Sequence, residues 1–435
     1  MSFRKFVKMF IPTGIFHKVE PFGHLLEAVI FNILYGFPAR KLKVIGVTGT
    51  NGKTTTTFLI HRMLHEAGFK VGLNTTVAYG AGLDINSQME HMTSLPVPKF
   101  MRRLKELNKA GIEYLVLETT SQAMAQNRVW GVKYYLSVMT NITHEHLDYH
   151  GTFENYRSAK VKMFEWTNKN SNGLRAGVIN ADDDSDKYFS DAVAHPLTYG
   201  VKEGDIKAKN IKLSADGVSY IASLKGVDYK IKCNLSGMFN VYNSLAVVGV
   251  GVLLGLNSNQ IEQGIAALES VEGRMTKIDE GQKFSVIVDY AHTPDSFEKL
   301  LSELRPVVEG RFIVMFGSAG RRDEAKRSIQ GEIAGKYADF VVLTEEDDRD
   351  IDGNTILNQI AEGAEKSGKQ KDKDMFLILD RTKAIKYSFQ LAKDKDDLVL
   401  LLGKGHEKTI ERADGEHPWN EIEVAHNELK NTLDQ

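Results

Sequence analysis

The fold this sequence predicts is α/β throughout, in two consecutive units with mostly parallel sheets. Three observations carry the expectation. From Lys43 onward, apolar runs rich in Val, Ile and Leu alternate with amphipathic helical patterns. A glycine-rich turn joins the first run to the first helix, in "VIGVTGTNGKTTTTFLI" over 44–60. A second run-and-helix series restarts near Gly273. Buried strands alternating with helices imply a parallel sheet covered on both faces. At 435 residues the chain is too long for one core, and it divides into 1–43, 44–271 and 272–435.

The first segment, "MSFRKFVKMFIPTGIFHKVEPFGHLLEAVIFNILYGFPARKLK", sets Arg4, Lys5, Lys8, Lys18, Arg40, Lys41 and Lys43 against Glu20 and Glu27, with aromatic and aliphatic residues between the bases. Its apolar part, Leu25 to Phe37, is shorter than the roughly 20 residues that span a bilayer. It also lacks the small-residue cleavage site of a secretory signal. Two readings stand: a helical arm packed on the body, or an interfacial helix making peripheral membrane contact. Beyond it, "KVIGVTG", "EYLVLETTS", "YYLSVMTNI", "AGVIN" and "HPLTYG" read as strands, and 53–67 and 98–110 as helices. Residues 203–233 change to a two-residue period broken by "ADG" and "KG", which predicts hairpins at the sheet edge. "NVYNSLAVVGVGVLLGL" and a segment reaching Leu268 follow as helices. The second series holds five buried-strand candidates, "FSVIVDYA", "RFIVMFGSAG", "DFVVLTEE", "MFLILD" and "DLVLLLGKG", as in a Rossmann-like doubly wound domain. The charge run over 365–374 reads as a solvated loop.

Composition narrows the classes of function. The chain is 42% hydrophobic and 26% charged, ordinary for a soluble globular protein. A formal net charge of -2 supplies no general attraction for nucleic acid, and none is expected as a partner. The single cysteine, Cys233, excludes a disulfide framework and a Cys-rich zinc site, and fits a cytoplasmic location. A monomer is the expected state.

Chemistry enters at Gly49, Thr50, Asn51, Gly52, Lys53, Thr54 and Thr55. Backbone N–H groups of such a turn and of the following helix N-terminus cradle phosphates, a Lys adds a point charge, and a Thr hydroxyl can hold Mg²⁺. Val47 stands where the general phosphate-loop spacing would place its first glycine. The "GKT" tail between strand and helix still predicts a central ATP-binding domain of P-loop type.

More distant segments sharpen this. "TGTNGKTT", "LETTSQAMAQNRVWGV", "TNITHEHLDYHGTFENYRSAKVKMF", "LSGMFNVYNSLA", "VEGRM", "VDYAHTPDS" and "LLGKGHE" occur in that order over about 44–412. Together they resemble the Mur ligase family, the ATP-dependent amino-acid ligases of peptidoglycan precursor synthesis. The pattern is nearest the branch that adds the third residue of the stem peptide. The resemblance implies ATP, two Mg²⁺ sites, a muropeptide and an amino acid as ligands. It implies that Glu118 and His146 lie at the metals beside Thr54, that Lys160 is carbamylated to an anionic metal ligand, and that Lys53 acts on the phosphates. It places Asn243, Asp289 and Arg274 at the nucleotide, Arg274 on closure of the two domains.

For the muropeptide the resemblance points to Thr93 and Ser94 in "MTSLP", where Leu95 displaces the usual proline, and to Thr120, Ser121 and Arg128. For the incoming amino acid it points to Gly403 and Glu407 in "GKGHE", to Arg327 in "RRDEAKRS" and to the segment "TEEDDRD". In that segment Arg349 matches the arginine that selects meso-diaminopimelate, but Asp347 and Asp348 replace Asn and Pro. An Arg can hold a second carboxylate bidentately, whereas extra acids favour the ammonium of lysine or ornithine.

Family members ordinarily carry a UDP-binding domain ahead of the phosphate loop, and here 43 residues precede Val44. A lipid-linked acceptor met at a membrane is one expectation from that difference. The alternatives weighed are a MurT-like amidating subunit, which the single Cys and the retained "GKGHE" disfavour, and a non-catalytic nucleotide-binding scaffold.

Overall fold

The computed structural model describes residues 13–88, 95–143, 145–214 and 217–433. The chain forms two compact units. One holds the chain to Lys212, Val218–Cys233 and Phe239–Leu268; the other holds Leu213–Gly217, Asn234–Met238 and the chain from Glu269.

The first unit is built on β1 (Lys43–Thr48), β2 (Val71–Asn74), β3 (Ala78–Ala81), β4 (Asp84–Ser87), β5 (Tyr114–Glu118), β6 (Tyr134–Met139), β7 (Ala176–Asn180), β8 (His195–Gly200), β9 (Ile206–Ser214), β10 (Gly217–Leu224) and β11 (Val227–Cys233). Their order across the sheet is β11-β10-β9-β8-β7-β6-β1-β5-β2-β3-β4. β1 lies between β5 and β6 and runs parallel to both. Every residue of β5 and β7, and all of β1 beyond Lys43, is buried, which is why these strands read as unbroken apolar runs. The period-two segment forms β9 to β11 at one end of the sheet, as its alternation predicts. At the other end β3 and β4 add an antiparallel extension that sequence reasoning missed.

Helices cover this sheet. Phe153–Asn168 starts where the Thr152 side chain accepts from the Asn155 N–H, and it buries Tyr156, Lys160, Met163 and Phe164. Met163 and Phe164 join Val44, Leu115, Tyr134 and Met139 in one core. The N-terminal helix, Thr13–Tyr35, runs on through Pro21 and buries His24, Ala28 and Asn32. The Asn32 amide donates to the carbonyls of Ala28 (2.8 Å) and Trp130 (2.9 Å), fastening the helix to the body.

The second unit contains β12 (Thr276–Ile278), β13 (Ser285–Asp289), β14 (Phe312–Phe316), β15 (Phe340–Leu343), β16 (Met375–Leu377) and β17 (Leu398–Leu402), in the order β12-β13-β17-β14-β15-β16. All pairs are parallel except β12 with β13. The five expected strands are present. β12 and the hairpin β18 (Thr409–Arg412) to β19 (Gly415–Pro418) are additions. Arg381 is fully buried: it pairs with buried Glu421 (2.7 Å) and donates to the carbonyls of Glu345 (2.9 Å) and Leu402 (2.8 Å). One guanidinium thus ties the loops after β15 and β17 to the C-terminal helix, Glu421–Leu433.

Candidate active site

In the first unit the site forms at the carboxyl ends of three adjacent parallel strands, the usual ligand position of such sheets. Val47 of β1 is in register with Glu118 of β5, and Thr48 with Met139 of β6. Gly52 caps the helix Lys53–Glu66 at φ 80°, and a Cβ there would collide with the Asn243 carboxamide. A Cβ at Gly49 would meet the Thr140 hydroxyl. The loop between them is held from outside. The Asn51 N–H donates to Asn141 Oδ1 (2.9 Å), while Thr140 Oγ1 (2.6 Å) and Asn141 Nδ2 (3.0 Å) donate to the Asn51 carbonyl. The hydroxyls of Thr50 and Tyr156 lie 2.9 Å apart. Asn243 Oδ1 accepts from Thr56 (3.3 Å), and its Nδ2 donates to Asn240 (2.9 Å). Thr54 and Thr55 are buried in the first turn of the helix.

The charged groups converge on the same turn. Lys53 Nζ donates to the Thr50 carbonyl and Lys160 Nζ to the Gly49 carbonyl, both at 2.6 Å. Lys160 is 2% exposed. Burial, and then the charge of Lys53, depress its pKa well below the usual lysine range, against the opposing pull of Glu145 and Glu118. Glu118 Oε2 accepts from Thr54 Oγ1 and from the Thr76 N–H, and its Oε1 from Thr76 Oγ1, all at 3.0 Å. His146 adopts φ 56°, with Nε2 3.8 Å from Glu145 and its ring 6.2 Å from that of Tyr156. Among the described residues no group of three or more His, Cys, Asp or Glu gathers as a ready metal cage. What the turn offers is a carboxylate with hydroxyl oxygens, a donor set suited to a hard cation that completes its shell with phosphate and water.

Thr120 caps the helix Ser121–Ala125, accepting from the Ala123 N–H at 3.2 Å. Ser121 Oγ lies 3.0 Å from His150 Nε2, and Arg128 is buried nearby in sequence. Thr93 and Ser94 lie outside the described residues. Glu145, Thr76 and Tyr156 were missed by sequence reasoning. Only "HEHLD" and the aromatic of "ENYRSAK" pointed toward two of them.

In the second unit Asp289 ends β13 in register with Leu402, so Asp289 and Gly403 lie side by side at the strand ends. Burial raises the Asp289 pKa, against the Arg274 charge and the Met275 N–H (2.8 Å). Arg274 stacks over the Tyr290 ring at 4.8 Å. His406, whose ring lies 4.7 Å from that of Tyr290, is driven down to about 3 by burial and then by Arg274. Lys404 is fully buried between Asp347 (2.8 Å) and Glu407 (2.6 Å). Burial would lower it, yet those two acids outweigh burial and keep its ammonium above the usual lysine range. Arg349, at φ 59°, pairs with Glu411 (2.7 Å) and donates to the Gly320 carbonyl. Asp347, Arg349, Gly403 and Glu407 are therefore brought together, with Lys404 and Glu411 as unforeseen members.

Arg327 does not join them. It is 1% exposed on the inner face of the helix Ala325–Tyr337, and its guanidinium donates to Gln359 and to the Ala319 carbonyl (3.1 Å). The exposed guanidiniums of that segment are Arg321, which pairs with Asp350 at the end of "TEEDDRD", and Arg322.

A phosphate-binding turn between a parallel strand and a helix, with a carboxylate and hydroxyls at neighbouring strand ends, defines a nucleotide-dependent α/β enzyme. Comparison with known proteins specifies which. The Mur ligase middle domain matches residues 47–251, and the Mur ligase glutamate ligase domain matches residues 273–405. UDP-N-acetylmuramyl-tripeptide synthetase of Roseiflexus sp. (strain RS-1) is 40% identical over 424 residues, 94% of this chain and 82% of its own. UDP-N-acetylmuramoyl-L-alanyl-D-glutamate--2,6-diaminopimelate ligase of Syntrophomonas wolfei subsp. wolfei is 38% identical, over 86% of this chain and 75% of its own. A solved structure of a ligase of the latter name superposes with a TM-score of 0.64 at 28% identity, covering 90% of this chain and 79% of that one. The chain belongs to the Mur ligase family and is an ATP-dependent ligase.

Proposed function

We propose that the protein joins an amino acid, meso-diaminopimelate or lysine, to the free carboxylate of a muramoyl-dipeptide precursor. A carboxylate oxygen attacks the γ-phosphorus and ADP leaves. The amine then attacks the acyl carbon of the resulting acyl phosphate, and phosphate departs with that oxygen. The observation that carries this reading is the convergence of Thr54, Glu118, Lys53 and Lys160 on the turn 49–52.

In this reading the backbone of Gly49–Gly52 and Lys53 receives the phosphates, Lys53 leaving the Thr50 carbonyl to do so, with Thr55 beside them. Thr54, Glu118, His146 and Lys160 would hold Mg²⁺, which neutralises the charge gathering between donor and acceptor. The depressed pKa of Lys160 suits carbamylation, because only the neutral amine adds CO₂, losing a proton to become an anionic carbamate. Asn243, Asp289 and Arg274 are assigned to the nucleotide. Thr93, Ser94, Thr120, Ser121 and Arg128 are assigned to the muropeptide.

Asp347, Arg349, Gly403 and Glu407 are assigned to the amino acid. Asp347 is already paired with Lys404, so it is not a free anion waiting for an ammonium. Arg349, held by Glu411, can exchange that partner for a second carboxylate, which favours meso-diaminopimelate. The N-terminal helix is read as a membrane-surface contact of an otherwise cytoplasmic monomer. Light scattering that returned the mass of two chains would refute the monomer.

Phosphate release from ATP is the test, run with diaminopimelate, lysine and ornithine against UDP-linked and lipid-linked muropeptides. Release should require both an amino acid and an acceptor; release independent of every amino acid would refute the ligase reading for these substrates.

A further inference from the structure

The N-terminal helix turns one apolar face to solvent. Phe22, Leu26, Ile30, Ile33 and Leu34 fall on a single stripe at helical spacing and are all exposed, Phe22 at 72%, Leu34 at 67%, and Leu26 and Ile33 at 62%. The helix is not awaiting a core, because its other face already buries His24, Ala28 and Asn32 and is tied to Trp130. A contiguous apolar patch of this kind marks an interaction surface.

Cations gather beyond the last turn of the helix, around Tyr35, Gly36 and Pro38. Lys41, Lys105 and Lys109 share a hollow of about 520 Å³ with Tyr35, and Lys105 lies 5.5 Å from the Tyr35 ring. Arg40 stacks on Phe37 at 3.7 Å and also lines a hollow of about 300 Å³ with Lys133, Lys169, Trp130 and Trp166. Among the described residues the acids nearby include Glu113, paired with Lys43 (2.7 Å), Glu27, 3.5 Å from His24, and exposed Glu106 and Glu165.

We propose that this face docks on the surface of an anionic lipid bilayer, with the helix in the membrane plane. The stripe enters the acyl boundary while Arg40, Lys41, Lys105 and Lys109 meet the headgroup phosphates. This rests on the membrane-surface part of the function proposed above. Charge complementarity selects the occupant. Hydrocarbon bordered by anions is what a bilayer offers, with Trp and Lys at the headgroup level. A second copy packed on the stripe would cover the hydrocarbon but offer the cations no anionic partner. Among the described residues no helix is long and apolar enough to cross a membrane, so the contact is a surface one.

Co-sedimentation of the full chain with phosphatidylcholine vesicles, and with vesicles that also contain phosphatidylglycerol, tests the proposal. The protein should pellet with the anionic vesicles and be released by salt. Leu26→Asp with Ile30→Asp should cut partition at least about tenfold, with thermal unfolding unchanged because both positions face solvent. Lys41→Glu with Lys105→Glu and Lys109→Glu should remove about tenfold on anionic vesicles and abolish the salt dependence. Equal partition on both vesicle types would keep the membrane contact and overturn the anionic recognition. No pelleting with either would overturn both. A wild-type dimer dissolved by the Leu26 and Ile30 changes would assign the stripe to a second copy and overturn the proposal, as would a stable complex with another protein in vesicle-free solution. None of these readouts uses catalysis, so each leaves the ligase assignment untouched.

Discussion

The two units arrange their charges in opposite ways. Around the phosphate turn the cations rest on backbone carbonyls, Lys53 on Thr50 and Lys160 on Gly49, with Glu118 held by hydroxyls and one N–H. In the second unit the cations are already paired, Lys404 with Asp347 and Glu407, Arg349 with Glu411, and Arg381 with Glu421. A carbonyl is a weak partner that a polyphosphate displaces easily, so the first arrangement is poised for a highly charged ligand. Ion pairs yield only to a ligand that supplies the same groups in the same geometry, so under the proposed function the second arrangement would discriminate among amino acids. On that proposal, binding energy would concentrate in the first unit and selectivity in the second.

The contrast predicts where damage falls. Lys53→Ala should lower kcat by about 1,000-fold or more, because it removes a charge needed on the transferring phosphoryl group; steady-state ADP release measures it. Arg381→Ala should cost about 3–5 kcal/mol of stability in denaturant unfolding, since it leaves buried Glu421 unpaired. Lys160→Ala should cost about 100-fold in kcat and be partly rescued by formate or acetate, which a purely structural lysine would not be. Arg349→Ala should raise KM for the amino acid by about tenfold while leaving KM for ATP unchanged, as loss of one bidentate contact would.

A further prediction concerns the pH dependence of stability. His406 is held near 3 when folded against 6.5 unfolded, so its stabilising contribution is complete above about pH 6.5 and is lost as pH falls through that window. The slope is about 1.4 kcal/mol per pH unit. Asp348, raised to about 6, acts oppositely between 3.8 and 6, contributing stability that is lost as pH rises. His406→Gln should therefore flatten the acid limb of a stability–pH curve relative to the unsubstituted protein, measured by denaturant midpoints from pH 4 to 7.

The central parallel strands were legible because they are buried on both faces and so write a continuous apolar run, as in β14 and β17. β12, three residues long, and the half-exposed hairpin of β18 and β19 have no such run to show. Around the phosphate turn, local spacing identified Gly52, Lys53 and Thr54, whereas the pairing of Glu118 with Thr76 joins loops 42 residues apart and leaves no local trace. Lys404 was passed over between Gly403 and Glu407 because a lysine in a glycine turn looks solvated; its two acids show it is not. Arg327 misled in the other direction. The family resemblance implied a carboxylate-receiving arginine there, but helix phase turns that residue inward, against Gln359.

The most direct measurement follows oxygen from the acceptor carboxylate, labelled with ¹⁸O, through one round of ligation. If the enzyme forms an acyl phosphate, each released phosphate carries one labelled oxygen and the new amide keeps the other. Phosphate whose added oxygen comes from water instead would make the protein an ATP hydrolase and contradict the account.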